Sequence, residues 1–377
     1  MFKILAIDDD PVIQQLLKRM LQKQGYEVTV ANDGEEGVRQ AQELKPALII
    51  CDWIMPRLTG LEVCRRVKEN PELSTTFFIL LTSLGSVEDR VKGLDAGADD
   101  FISKPIEMNE LRARVQSGLR LHRLSQDLQV QKRTLEAELA EAADYVRSLL
   151  PEPVTEPVPI DARFIPSRQL GGDCFDYFWL DSDHLAIYLL DVAGHGLRAA
   201  LPSVAVLNLL RSRALPNINY HQPSDVLRAL NNTFQMSYQN DKYFTIWYGV
   251  YCRSTRELCY ASAGHPPAIL VSGKQNRTSQ RLKTPGMPVG MFPEAQYTDA
   301  TCKVDKSSHL YIFSDGVYEI HQPDGNIWGL DEFVQLLTQS TQVSAGETLD
   351  HVVDYVKILN AKPIFDDDFS LLEVNLS

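Results

Sequence analysis

Five short apolar runs near the N-terminus, each leading into a segment of helical periodicity, constrain this chain more than any other feature. The runs are FKILAI, EVTVA, ALIIC, FFILLT and DFIS, and helical patterns fill 12–24, 34–44 and 61–68 between the first of them. Near-continuous apolar strands have to be buried on both faces, and strands alternating with helices predict an α/β, doubly wound, five-stranded parallel sheet. A sheet of that kind collects its functional groups at the carboxyl ends of the strands.

The strand ends here carry Asp8 and Asp9, then Asp52, Thr82 and Lys104. Crowded carboxylates repel one another unless a divalent cation joins them, and a lysine with a hydroxyl close by can receive a phosphoryl group. Asp52 is then the candidate nucleophile. Through IDDD, CDWIMPRLTG, LLTS and GADDFISKP, residues 1–118 resemble the receiver domain of two-component response regulators. The resemblance implies Asp52 as phospho-acceptor, with Asp8, Asp9, Asp52 and the Ile54 carbonyl as ligands of a Mg2+ ion. It also implies Thr82 as switch hydroxyl, Lys104 as phosphate contact, Phe101 as aromatic switch and a cis Lys104–Pro105 bond. The partner it implies is a sensor histidine kinase or a phosphotransfer protein.

Past the last of these strands the helical pattern does not stop. Leu111, Val115, Leu119, Leu121, Leu124, Leu128, Leu135, Leu139, Val146 and Leu149 recur with charges between them, and no glycine or proline falls between Leu119 and Leu150. Steps of three and four predict a coiled-coil-like helical linker over 119–150 and a homodimer formed through it, although Gln131 and Glu138 fall on the seam. The prolines of LLPEPVTEPVPI end the helix, and 151–377 is expected to form a second domain.

That second domain reads as short strands grouped with pairs of helices, at 195–215, at 224–238 and again before the final strand. The grouping predicts an α+β arrangement, a β-sandwich flanked by helices. Asp173 in GGDCFD, Asp191 in DVAGHG, Asp315 in SDGV and the run Asp366 to Asp368 in FDDDFS all stand at strand ends or turns. Aspartates beside small residues leave room for hydrated cations, and two such cations can hold a hydroxide in line with a phosphoryl group. GGDCFD is one residue short of the signature of enzymes that condense two GTP molecules. That chemistry has no need of three further Asp motifs downstream, and Cys174 replaces its glutamate.

The ordered set GGDCFD, DVAGHG, SAGHPP, PGMPVGMF, SDGV and DDFS resembles the metal-dependent PP2C-type serine/threonine phosphatases, in the bacterial SpoIIE/RsbU-like branch. The resemblance implies two Mn2+ or Mg2+ ions held by Asp173, Asp191, the Val192 carbonyl, Asp315 and Asp367, with Asp191 bridging. Asp367 is chosen over its neighbours because the family writes two acids, one variable residue, then Ser or Thr. Arg168 is a candidate phosphate contact and Asp176 a candidate for orienting the ligands. His195 would bond a water or cap a helix, and His265 would sit in a turn. The implied substrate is a phosphorylated anti-sigma factor antagonist. The rival expectation is an inactive adaptor that binds a sigma factor or a protease.

Composition adds exclusions. A net charge of −13 argues against a broad nucleic-acid surface. The six scattered cysteines fit reduced thiols, and no apolar run is long enough for a signal peptide or a membrane span, so the expectation is a cytoplasmic protein without membrane contact.

Overall fold

The computed structural model describes the chain except residues 84–86, 237–241, 274–276, 324, 340–346, 361, 363 and 377. It divides into two compact units, Met1–Glu136 and Ala137–Ser377. In the first, β1 (Lys3–Ile7), β2 (Glu27–Ala31), β3 (Leu48–Asp52), β4 (Phe77–Thr82) and β5 (Asp100–Ser103) form one sheet in the order β2-β1-β3-β4-β5. Every pairing in it is parallel. All residues of β3 and β4 are buried, as their unbroken apolar runs require.

The helices are α1 (Pro11–Lys23), α2 (Gly34–Leu44), α3 (Gly60–Glu69), α4 (Val87–Asp95) and α5 (Met108–Leu149). Their starts are written in short polar side chains. Asp10 accepts from Val12 N with Pro11 in the first turn, Asp33 accepts from Glu36 N, and Thr59 with Glu62 closes a capping box. One face of the sheet packs Leu5, Ile7, Cys51, Val63 and Val67; the other packs Ile4, Leu17, Leu21, Leu111, Val115 and Leu119. α5 is a single helix of 42 residues. Leu111, Val115 and Leu119 belong to the receiver-like core, whereas Leu121, Leu124, Leu128 and Leu135 are exposed.

The second unit contains β6 (Ile160–Ile165), β7 (Cys174–Trp179), β8 (His184–Val192), α6 (Leu197–Arg211), α7 (Pro223–Thr233), β9 (Phe244–Cys252), β10 (Glu257–Ala263), β11 (Ala268–Ser272), β12 (Thr278–Leu282) and β13 (Ala300–Lys303). β14 (Ser308–Phe313), a 3-10 turn at Asp315–Val317, β15 (Ile320–His321), β16 (Ile327–Trp328), α8 (Leu330–Gln339), α9 (Glu347–Asn360) and β17 (Phe369–Asn375) complete it. Two antiparallel sheets, β13-β10-β9-β8-β7 and β12-β11-β14-β17-β6, face each other.

Alternation along the strands divides the side chains between layers. Phe175, Ile187, Leu189, Trp247, Leu310 and Leu372 fill the space between the sheets. Tyr188, Leu190 and Tyr248 point the other way, onto Val206, Leu207, Leu227 and Leu230 of α6 and α7. Tyr311 and Phe313 meet Phe333, Leu337, Val352 and Val356 of α8 and α9 on the far side. The sandwich flanked by helices expected from the sequence is what forms.

Two helices differ in length from the expectation. α6 begins at Leu197, not at 195, because Gly194 and Gly196 take φ of +91° and +78° and hold the chain out of helix until then. It ends at Arg211, and Arg213 is left-handed at φ +53°, so the expected extension to 215 does not form. α7 stops at Thr233, and the remainder of its expected span includes 237 and 238, outside the described residues. All six cysteines are unpaired, and among the described residues no helix is long and apolar enough to cross a membrane.

Candidate functional site

In the first unit, the ends of β1 and β3 bring carboxylate oxygens of Asp8, Asp9 and Asp52 within 4.8 Å of one another. Lys104, just past β5, places Nζ 2.8 Å from Asp52 and 3.2 Å from Asp8. Burial drives the Asp8 carboxyl above its ordinary range; the Asp10 N–H and Lys104 work against this, and the Asp52 charge adds to it. Burial also works to lower the Lys104 ammonium, but its contacts with Asp52 and Asp8 outweigh it and the net displacement is upward.

The loop after Asp52 is held close: Trp53 N donates to Leu81 O, and Gly60 N donates back to Trp53 O. A Cβ on Gly60 would lie 2.2 Å from the Asp52 carbonyl oxygen, so only glycine lets the chain fold back there. Ile54 turns its side chain to solvent beside this cluster. Thr82 is buried at the end of β4, and its carbonyl accepts from Lys104 N. Phe101 on β5 rests against Trp53, ring centres 6.4 Å apart, in space that Gly93 leaves open. The Lys104–Pro105 bond is cis.

In the second unit, Asp191 is the second-last residue of β8 and Asp173 precedes β7, whose pairing sets Cys174 opposite Leu190. Gly172 presses this segment onto the next turn: a Cβ there would meet Val192 O at 2.6 Å and Gly194 O at 3.1 Å. Gly196 N bonds Leu170 O across the same seam. Asp315 follows β14, and a Cβ on Gly316 would come within 2.2 Å of Asp368 O, so the third and fourth Asp segments are also flush.

The three consecutive acids near the C-terminus have separate work. Asp366 pairs with Lys362 at 2.7 Å. Asp368 is buried and uses both oxygens internally, accepting from Ser167 N, Ser167 Oγ and Gly172 N. Asp367 is partly exposed, its Oδ1 accepting from Asp368 N at 2.8 Å, with His195 close enough to act on its charge. Ser370 donates to Asp173 Oδ2 at 2.5 Å, while Asp173 Oδ1 is buried without a hydrogen-bond partner.

A buried carboxylate oxygen with no donor is costly unless a proton or a cation meets it. All four acids are held above the ordinary carboxylate range. Burial, with the charges of Asp191 and Asp368, raises Asp173 well above the usual carboxylate range. Burial, with Asp315 and Asp367, pushes Asp191 up to about 8. Burial and Asp367 push Asp315 up to about 6, and burial also raises Asp367. Such a group wants positive charge, so the donor set fits divalent cations.

Other candidates fare differently. Arg168 is exposed on the loop ahead of Gly171. His195 does not cap α6, whose N-cap is Gly196 without a side-chain bond. His265 is buried, its Nδ1 3.1 Å from Pro266 O, and burial brings it down to about 4, a neutral turn residue. Asp176 does not join the four raised carboxyls: it pairs with Arg211 of α6 at 2.8 Å, and Arg211 also donates to Leu149 O at the end of α5. Its place on β7 puts it on the α6 face, which a reading by proximity in sequence cannot see.

Lys242 was not legible beforehand. The β8–β9 register sets Asp191 opposite Thr245, and this brings Lys242 Nζ to 2.8 Å from Ala193 O. Nothing in the local sequence marks that lysine, since only the strand pairing puts its charge beside the acidic turn.

Residues 181–377 match the family model described as Stage II sporulation protein E (SpoIIE), and residues 4–116 match that of the response regulator receiver domain. The chain is 40% identical over 118 residues to the DNA-binding dual master transcriptional regulator RpaA of Synechocystis sp., covering 31% of this chain and 49% of that protein. It is 43% identical over 118 residues to response regulator MprA of Mycobacterium leprae, covering 31% of this chain and 51% of that one. The chain thus spans about half the length of these curated relatives. The SiaA-PP2C domain of Pseudomonas aeruginosa superposes with a TM-score of 0.56 at 18% identity, covering 65% of this chain and 98% of that one, a likeness of fold.

Proposed function

Because the chain belongs to the SpoIIE family and carries a response regulator receiver domain ahead of that PP2C-type domain, we propose that it is a response regulator whose output is a metal-dependent phosphoprotein phosphatase. In this reading 1–118 receives a phosphoryl group at Asp52, 119–150 is the helical linker and 151–377 hydrolyses phosphoserine or phosphothreonine. The observation that carries it is the buried, donorless oxygen of Asp173 among three other carboxyls held above their ordinary range. A receiver implies a histidine kinase or phosphotransfer protein as donor. The substrate, a phosphorylated anti-sigma factor antagonist, follows from family resemblance alone.

Asp173, Asp191, Asp315, Asp367 and the Val192 carbonyl would hold two Mn2+ or Mg2+ ions, and Asp8, Asp9, Asp52 and the Ile54 carbonyl one Mg2+. When bound, the paired cations supply an activated water and positive charge for the phosphoryl oxygens. The chain's own contribution is position. Asp368 buckles the 167–172 loop onto the site, Gly172 leaves the Val192 carbonyl uncovered, and Lys242 and Arg168 offer charge to an arriving phosphate. The test is hydrolysis of an aryl phosphate and of phosphoserine peptides by the intact chain, with and without Mn2+. Turnover that needs the metal supports the enzyme, and none with either substrate supports the adaptor.

The raised carboxyls also set a pH dependence. A folded acid with a raised pKa keeps a proton that the unfolded chain has released, so it costs stability as pH climbs from the unfolded value, about 4, toward the folded one. With Asp191 near 8 and Asp315 near 6, the metal-free protein is expected to lose thermal stability from about pH 5 to about pH 8. Added Mn2+ should raise the melting temperature most at the alkaline end. Melting curves that ignore both pH and Mn2+ would remove this account of the cluster.

The exposed leucines of α5 support the proposed homodimer. Leu124 is 55% and Leu128 67% exposed, on the same helix whose earlier leucines are buried in the receiver-like core. A second copy could cover that stripe. Sedimentation should give a dimer, and a monomer both with and without beryllofluoride would end the idea.

A further inference from the structure

The second unit holds another cluster of metal-ligating side chains, apart from the acidic centre. Asp181 lies in the turn between β7 and β8, His184 opens β8, and His221 stands just ahead of α7. One ligand atom from each falls within 4.8 Å of the others. His184 and Asp191 occupy opposite ends of β8, which at ~3.3 Å per residue separates the two places by about 23 Å.

The geometry is built by the chain. Asp181 Oδ1 accepts from Asp183 N at 2.7 Å and His184 N at 2.9 Å, so the turn fixes the carboxylate. Asp181 Oδ2 then lies 2.9 Å from His184 Nδ1 and 3.0 Å from His221 Nε2. The two rings meet edge to face, centres 4.8 Å apart at 82°. Asn219 Oδ1, 3.3 Å from His221 Nδ1, can accept a hydrogen bond from a proton kept on that nitrogen, the tautomer that leaves the Nε2 lone pair free for a metal.

A tetrahedral Zn2+ with bonds of about 2.0–2.1 Å needs ligand atoms about 3.3 Å apart, a few tenths of an ångström beyond the observed pairs. Two imidazole nitrogens and one carboxylate oxygen suit Zn2+ and are a poor match for Mg2+, which prefers an all-oxygen shell. We propose that Asp181, His184 and His221 form a zinc site that clips the β7–β8 turn to the segment leading into α7. None of the three belongs to the candidate receiver or phosphatase centres.

The test is a Zn2+ titration of the full chain in excess Mg2+, read against a competing chromophoric chelator, beside His184→Ala and His221→Ala. The expected result is one Zn2+ bound by the native chain with affinity at least ~100-fold above that of either variant. Equal binding by all three proteins, or no zinc bound by the native chain, would overturn the site and leave a hydrogen-bonded turn. Should a variant fail to fold, nitrogen-15 spectra of the native imidazoles decide. Zn2+ should move His184 Nδ1 and His221 Nε2 toward the metal-bound range, and unmoved resonances refute the proposal.

Discussion

Asp191→Asn should lower Mn2+-dependent hydrolysis by at least ~1,000-fold while making the metal-free protein more stable at alkaline pH. Both effects come from one group. Asp191 lies at the end of β8, one residue before Val192 closes the strand, and burial together with Asp315 and Asp367 pushes its carboxyl up to about 8. Asparagine keeps the shape and removes the charge, so the repulsion with its neighbours falls and the metal-free fold gains. The same change takes away the ligand proposed to bridge both cations, a loss worth over ~4 kcal/mol of transition-state stabilisation at ~1.4 kcal/mol per decade. Replacing an ordinary structural aspartate would lower stability and activity together. Lost turnover with a raised melting temperature is therefore specific to a ligand, and unchanged turnover would remove Asp191 from the site. Asp368 is the informative contrast: its oxygens hold Ser167 and Gly172, so Asp368→Asn should lower stability instead.

Much of this arrangement was open to reading because strand ends carry the chemistry and apolar runs mark the strands. β3 and β4 are fully buried and appear as LIICD and FFILLT, and Asp173 and Asp315 each sit beside a glycine, one just before β7 and the other just after β14. What was not legible depends on pairing between distant segments. β12, TSQRL, is exposed along most of its length, and β13, ATCK, has only four residues. β12 lacks the alternation that betrays a half-buried strand, and β13 alternates over too few residues to stand out. Lys242 and Arg211 likewise gain meaning only from the β8–β9 register and from the packing of α6 on β7. The choice of Asp367 among three acids came from motif grammar; the hydrogen bonds show that Asp366 pairs with Lys362, that Asp368 holds Ser167 and Gly172, and that Asp367 accepts from Asp368 N.

Asp52→Asn should abolish phosphoryl acceptance, with incorporation from a small phosphodonor below about 1% of that of the native chain. The reaction needs a carboxylate oxygen to attack phosphorus as the donor's leaving oxygen departs, and an amide cannot supply it. Lys104 Nζ, 2.8 Å from Asp52 and 3.2 Å from Asp8, stands where the added negative charge would arrive. A phosphoryl group on Asp52 competes for that ammonium, which gives the receiver two charge arrangements to choose between. In the proposed function α5, the helix that follows β5, carries that choice onward. The ratio of phosphatase turnover with and without beryllofluoride should therefore differ from one in the native chain and equal one in Asp52→Asn. A ratio that survives the substitution would mean that beryllofluoride acts on the phosphatase centre directly, and a native ratio of one would uncouple the receiver from the output it precedes.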